Sequence, residues 1–98
     1  MGDITQKIIA MQLNLRELRS YAGWTQEELG KMLGVSKESI SQLERGDNRL
    51  RQTQYIAIRA LLGHVKAEKP LLSKAIDIYF GPDNWMNEVF ELLKGETK

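Results

Sequence analysis

Residues 26–45, QEELGKMLGVSKESISQLER, decide the architecture of this 98-residue chain. Thr25 stands three residues before Glu28, the spacing at which a hydroxyl and a carboxylate each satisfy a backbone N–H at a helix start. That spacing predicts a helix carrying Leu29, Met32 and Leu33 and closing at Gly34. Ser36 can cap a further helix running through Ile40 and Leu43 to about Arg45. Helices joined by a turn as short as Leu33-Gly34-Val35-Ser36 must cross steeply, and one turn residue must accept a positive φ, which glycine does cheaply. Leu29, Leu33, Val35, Ile40 and Leu43 fill the angle, and Gly30 is small where the earlier helix would be crowded by the later one.

Upstream, Ile4, Ile8, Met11, Leu15, Leu18 and Ala22 step by helical spacings and form the apolar stripe of a first helix ending at Gly23. Asn14 with Glu17 has capping-box spacing, so this helix can instead be interrupted there or start late. Downstream, Gly46, Asp47 and Asn48 read as a loop, and Thr53 can cap a helix with Ile56, Ala57, Ala60 and Leu61 that ends at Gly63. Pro70 suits the first turn of a helix with Leu71, Leu72, Ala75, Ile76 and Tyr79 on one side, stopped by Gly81-Pro82. A last helix is predicted around Trp85, Met86, Val89, Phe90 and Leu93. With two prolines and no alternating β-branched run, the expected fold is all-α, a bundle of about five to six helices. Residues 11–63 form its central domain and residues 64–98 a C-terminal helical hairpin.

Composition removes several classes. The chain is 42% hydrophobic and 28% charged, ordinary for a globular protein. No apolar run approaches the ~20 residues of a membrane helix. Residues 1–11 lack the pattern of a signal peptide, and there is no cysteine, so a cytoplasmic location is expected. His64 is alone, follows a predicted helix end and has no second histidine or cysteine to complete a zinc site. No histidine base accompanies the serines, and Glu27 and Glu28 read as helix-face charges, so neither a cofactor nor an enzyme is indicated. Trp24 reads as a core or corner residue. The formal net charge of +1 gives no general basic signal. The distribution is uneven: Arg49, Arg51, Arg59, Lys66, Lys69 and Lys74 face only Glu68 between residues 49 and 74. From residue 77 on, acidic side chains outnumber Lys94 and Lys98.

The helix after Ser36 divides by chemistry. At about 100° per residue, Lys37, Ser41, Arg45, Glu38 and Gln42 share one polar face, while Leu43 and Ile40 lie opposite with Ser39. A helix so divided can pack by one side and enter a DNA major groove with the other. The stretch Leu18 to Gly46, with Trp24-Thr25-Gln26-Glu27-Glu28-Leu29, Leu33-Gly34-Val35-Ser36 and Ile40-Ser41-Gln42-Leu43-Glu44-Arg45-Gly46, resembles the phage-repressor (Xre/Cro-like) helix-turn-helix family. The resemblance covers roughly residues 11 to 63, and Gly30 departs from the alanine more common there. It implies a lambda-repressor-like DNA-binding domain in which Lys37, Glu38 and Gln42 read bases, with Ser41 beside them. By donor and acceptor chemistry Lys37 suits guanine, Gln42 adenine and Glu38 the cytosine amino group, unless Glu38 turns to a neighbouring lysine. The resemblance further implies phosphate contacts from Gln26 and from the loop, whose donors are Arg45, Asn48, Arg49 and Arg51. It also implies an internal ion pair between Arg19 and Glu44.

The expected function is a sequence-specific DNA-binding transcriptional regulator, a repressor acting as a homodimer on double-stranded operator DNA. Trp85, Met86, Val89, Phe90 and Leu93 would dimerise it, or else cover the core. The alternative is an antitoxin-like interaction module whose C-terminal helices clasp a protein partner.

Overall fold

The apolar stripe of the first 22 residues is cut at Asn14. In the computed structural model, which describes residues 3–81 together with Asn87 and Phe90, helix α1 spans Asp3–Leu13 and α2 spans Leu15–Ala22. The capping box expected of Asn14 and Glu17 does not form. Asn14 Nδ2 instead turns back to the Ala10 carbonyl at 2.8 Å, a local bond that competes with continuation of the helix. Glu17 accepts hydroxyl hydrogens from Tyr21 at 2.9 Å and Tyr79 at 3.3 Å. The Tyr21 hydroxyl pKa is raised, first by its hydrogen bond to Glu17 and then by that carboxylate's charge. That of Tyr79 is raised by desolvation, then by Glu17.

The next two helices follow their capping chemistry. Thr25 and Glu28 exchange both bonds of the capping box at 3.0 and 2.8 Å, opening α3, Gln26–Leu33. Gly34 has φ of 75°, and Val35 N–H returns to the Gly30 carbonyl at 2.9 Å. Ser36 Oγ accepts from Ser39 N–H at 3.1 Å and starts α4, Lys37–Arg45. Gly30 is crowded chiefly by the turn: a Cβ there would lie 2.7 Å from the Val35 carbonyl oxygen and 3.3 Å from that of Ser36.

Helix α5, Gln52–Val65, departs from the sequence expectation at both ends. Arg51, rather than Thr53, occupies the cap position, and its N–H is taken by the Gln54 carboxamide oxygen at 2.9 Å. Gly63 does not end the helix, which continues for another two residues before the 3-10 turn Lys66–Glu68. Its buried face is Tyr55, Ile58, Arg59 and Leu62, a helical set displaced from the expected one. Arg59 lies wholly inside, its guanidinium carbon 4.9 Å from the Phe80 ring centroid, where the ring's negative face stabilises the cation. Helix α6, Pro70–Phe80, buries Leu72, Ala75, Ile76 and Phe80 against α1 and α2. Among the described residues one core therefore runs from Met11 to Phe80, and the 63/64 boundary expected between domains falls within α5. Among the described residues all regular structure is helical, with no strand. No helix there is long and apolar enough to cross a membrane. The helix expected around Trp85, Met86, Val89 and Leu93 lies outside the described residues; Phe90 is exposed.

The two glycines Gly34 and Gly63 should respond oppositely to alanine. Gly34→Ala places a Cβ in the left-handed region and is expected to cost roughly 1–2 kcal/mol. Gly63→Ala fills open space inside a helix and should add about 0.5–1 kcal/mol. Urea denaturation of the two variants beside the parent chain checks both signs.

Candidate nucleic-acid interface

Helix α4 packs by Ile40 and Leu43, which are buried, and turns its other side outward. Lys37 and Glu38 are exposed at its start, with Ser41 and Gln42 half-buried one turn later. Among the described residues no ion pair reaches Lys37 or Glu38.

Two grooves flank this helix. One runs between α2, the start of α3 and α4, and is lined by Arg16, Trp24, Gln26, Lys37, Ser41 and Arg45. The other, on the loop side, is lined by Val35, Ser39, Asn48, Arg49, Leu50 and Arg51. Cationic side chains therefore stand on both flanks of α4. Arg16 is a member of this flank that spacing along the chain does not single out. Its exposure on α2 was foreseeable, but its proximity to Lys37 depends on how α2 crosses α4.

Glu44 holds α2, α3 and α4 together. Arg19 donates to it through Nε at 2.5 Å and Nη2 at 3.2 Å, and Gln26 Nε2 donates at 3.0 Å. Arg19 Nη1 continues to the Trp24 carbonyl at 2.9 Å. With Glu44 only 6% and Arg19 14% exposed, the pair is shielded enough for charge-assisted bonds to matter. Gln26 thus spends one side-chain N–H inward. Its remaining donors include the backbone N–H at the start of α3, where a helix favours an anion.

The loop after α4 carries its own network. Arg45 donates to Asp47 Oδ2 at 2.9 Å and to Ser41 Oγ at 2.5 Å, so part of its guanidinium is engaged within the molecule. Asn48 donates to Gln42 Oε1 at 2.7 Å. Gln12, from α1, donates to the carbonyls of Leu43 and Asn48 and accepts the Leu50 N–H. Arg49 and Arg51 are exposed. Gln12 carried no recognisable signal, because its partners lie 31 to 38 residues away along the chain.

This arrangement is a helix-turn-helix with a braced, outward second helix. The chain matches the helix-turn-helix domain family over residues 13–72 and belongs to it. It is 38% identical over 37 residues, 38% of its length, to an uncharacterized HTH-type transcriptional regulator, YgzD, of Bacillus subtilis. To another so described, from Archaeoglobus fulgidus, it is 50% identical over 36 residues, 37% of its length. The matches span 56% and 51% of those two proteins, about half of each. No solved structure matches the chain.

Removing the charge of Glu44 should loosen the three-helix junction. Glu44→Gln leaves Arg19 facing a neutral group and an amide hydrogen, and is expected to cost about 1–3 kcal/mol, read as a lowered urea midpoint.

Proposed function

We propose that this protein is a sequence-specific DNA-binding transcriptional regulator that lays α4 in the major groove of operator DNA. The observation that carries this reading is the placement of α4: an outward polar face between two grooves that each bear cations. A major groove is bounded by two phosphate strands, and cations on both sides of an inserted helix can meet one strand each. Lys37, Glu38, Ser41 and Gln42 face the base edges. Lys37 donates to guanine acceptors, and Glu38 accepts from a cytosine amino group. Gln26, Arg49 and Arg51 contact phosphates, joined by the free N–H groups of Arg45 and by the loop at Asn48. Arg19 and Glu44 brace the unit and do not read DNA.

The protein acts as a repressor and as a homodimer, because one half-site with a few base contacts binds weakly while two linked helices match a two-fold site. Leu71 and Ile78, seven residues apart and both exposed on α6, add to the apolar surface expected from Trp85, Met86, Val89, Phe90 and Leu93. The same surface favours a second reading, in which it clasps a different protein. Truncation to test this belongs after Gly81, since an end at Lys69 would remove the buried Leu72, Ile76 and Phe80.

Selection from a random duplex pool tests the reading. An enriched two-fold sequence with half-sites about 34 Å apart is expected. Lys37→Ala should relax one base pair and cost about 1–3 kcal/mol there, whereas Arg49→Ala should weaken all duplexes and reduce the salt slope by about 1. Recovery of no preferred sequence would contradict it.

A further inference from the structure

Gln42 reaches the outward face of α4 with half of its carboxamide already engaged. The Asn48 side-chain amide donates to Gln42 Oε1 at 2.7 Å. The main chain ties the same two segments, for Asp47 N–H donates to the Gln42 carbonyl at 2.9 Å. Asn48 in turn is held from α1. Gln12 Nε2 donates to the Leu43 and Asn48 carbonyls at 3.1 and 2.5 Å, and Gln12 Oε1 accepts the Leu50 N–H at 3.0 Å. All three partners of Gln12 are backbone groups, whose donor and acceptor roles are fixed, so its carboxamide has one satisfied orientation. Gln12 therefore clamps the last turn of α4 to the loop that carries Asn48.

We propose that Asn48 is a specificity-determining positioning residue, which by occupying Gln42 Oε1 turns Gln42 from an adenine reader into a guanine reader. The proposal rests on the reading of α4 as the major-groove helix. A free glutamine carboxamide pairs its acceptor and donor with adenine N6–H and N7. With one lone pair of Oε1 filled by Asn48, adenine N6–H has only the other, whose direction the Asn48 bond fixes. Gln42 Nε2 keeps its N–H groups, and guanine presents two acceptors, N7 and O6, to receive them. The residue that contacts the base is still Gln42; Asn48 acts through it, and Gln12 acts through Asn48.

The test is selection from a random duplex pool with the parent protein, Asn48→Ala, Gln42→Ala and the double variant, each read as base preference at every position. The parent should enrich guanine at one position per half-site besides the one that Lys37 reads, and Gln42→Ala should make that further position indifferent. Asn48→Ala should move that position alone toward adenine by about tenfold relative to guanine. In the Gln42→Ala background, Asn48→Ala should change no preference. Loss of a mere phosphate donor at Asn48 would weaken every sequence alike and shift no preference, because phosphate contacts carry no sequence information. Asn48 is exposed, so the fold should survive its truncation. The proposal is overturned if Asn48→Ala keeps the parent's preference at the position that Gln42→Ala alters, or if Gln42→Ala alters none. Those outcomes leave the DNA-reading role of α4 standing, whereas a parent protein that enriches no sequence removes both.

Discussion

Glu44 sits near the end of α4 with almost no contact with water, and a carboxylate there needs compensation from every side. Arg19 supplies the charge and a fork of donors, and Gln26 supplies a third hydrogen. These three side chains come from three helices. The Arg19 bond to the Trp24 carbonyl adds the turn between α2 and α3. Gly34 lets α3 and α4 cross steeply, but the turn alone leaves the angle to α2 unspecified. The carboxylate sets that angle, and with it the distance between Arg16 on α2 and Lys37 on α4. The cationic flank of the outward face therefore depends on a pair that itself faces inward.

The near-neutral charge of the whole chain is compatible with a face built for phosphate, because charge is distributed by position and by pairing. Arg19 is consumed by Glu44, Arg59 lies in the core beside Phe80, and Arg45 is shared with Asp47 and Ser41. The arginines that remain, Arg16, Arg49 and Arg51, are exposed and line the two grooves beside α4, which carries Lys37 at its own start. Screening at physiological ionic strength limits exposed charges to about 8 Å of reach, so local clustering matters more than the total.

What was legible in the sequence was short-range. The Thr25–Glu28 box, the Ser36 cap and the left-handed Gly34 each follow from residues within a turn of one another, and each forms as expected. The polar and apolar sides of α4 follow from periodicity. Asn14 illustrates the limit of that logic: the same spacing to Glu17 suggested a capping box, but two tyrosine hydroxyls captured the carboxylate, one of them 62 residues away. Gly63 illustrates another limit, since an isolated glycine weakens a helix by only about 1 kcal/mol and packing of Tyr55, Ile58 and Leu62 outweighs it. Arg16, Gln12 and the Asn48–Gln42 bond depend on how helices cross. Spacing along one helix does not encode them. The division of the chain after residue 63 had the same weakness, because Leu72, Ile76 and Phe80 complete the core already begun at Met11.

The outward side of α4, flanked by cations, is where we propose that nucleic acid lies. Titrating isotope-labelled protein with its selected duplex and following backbone amide resonances tests this residue by residue. The expected result is that perturbations concentrate at residues 37–42, at Gln26 and in the 46–51 loop, and shrink with added salt. Perturbations centred on α6 with residues 37–42 unmoved would contradict it.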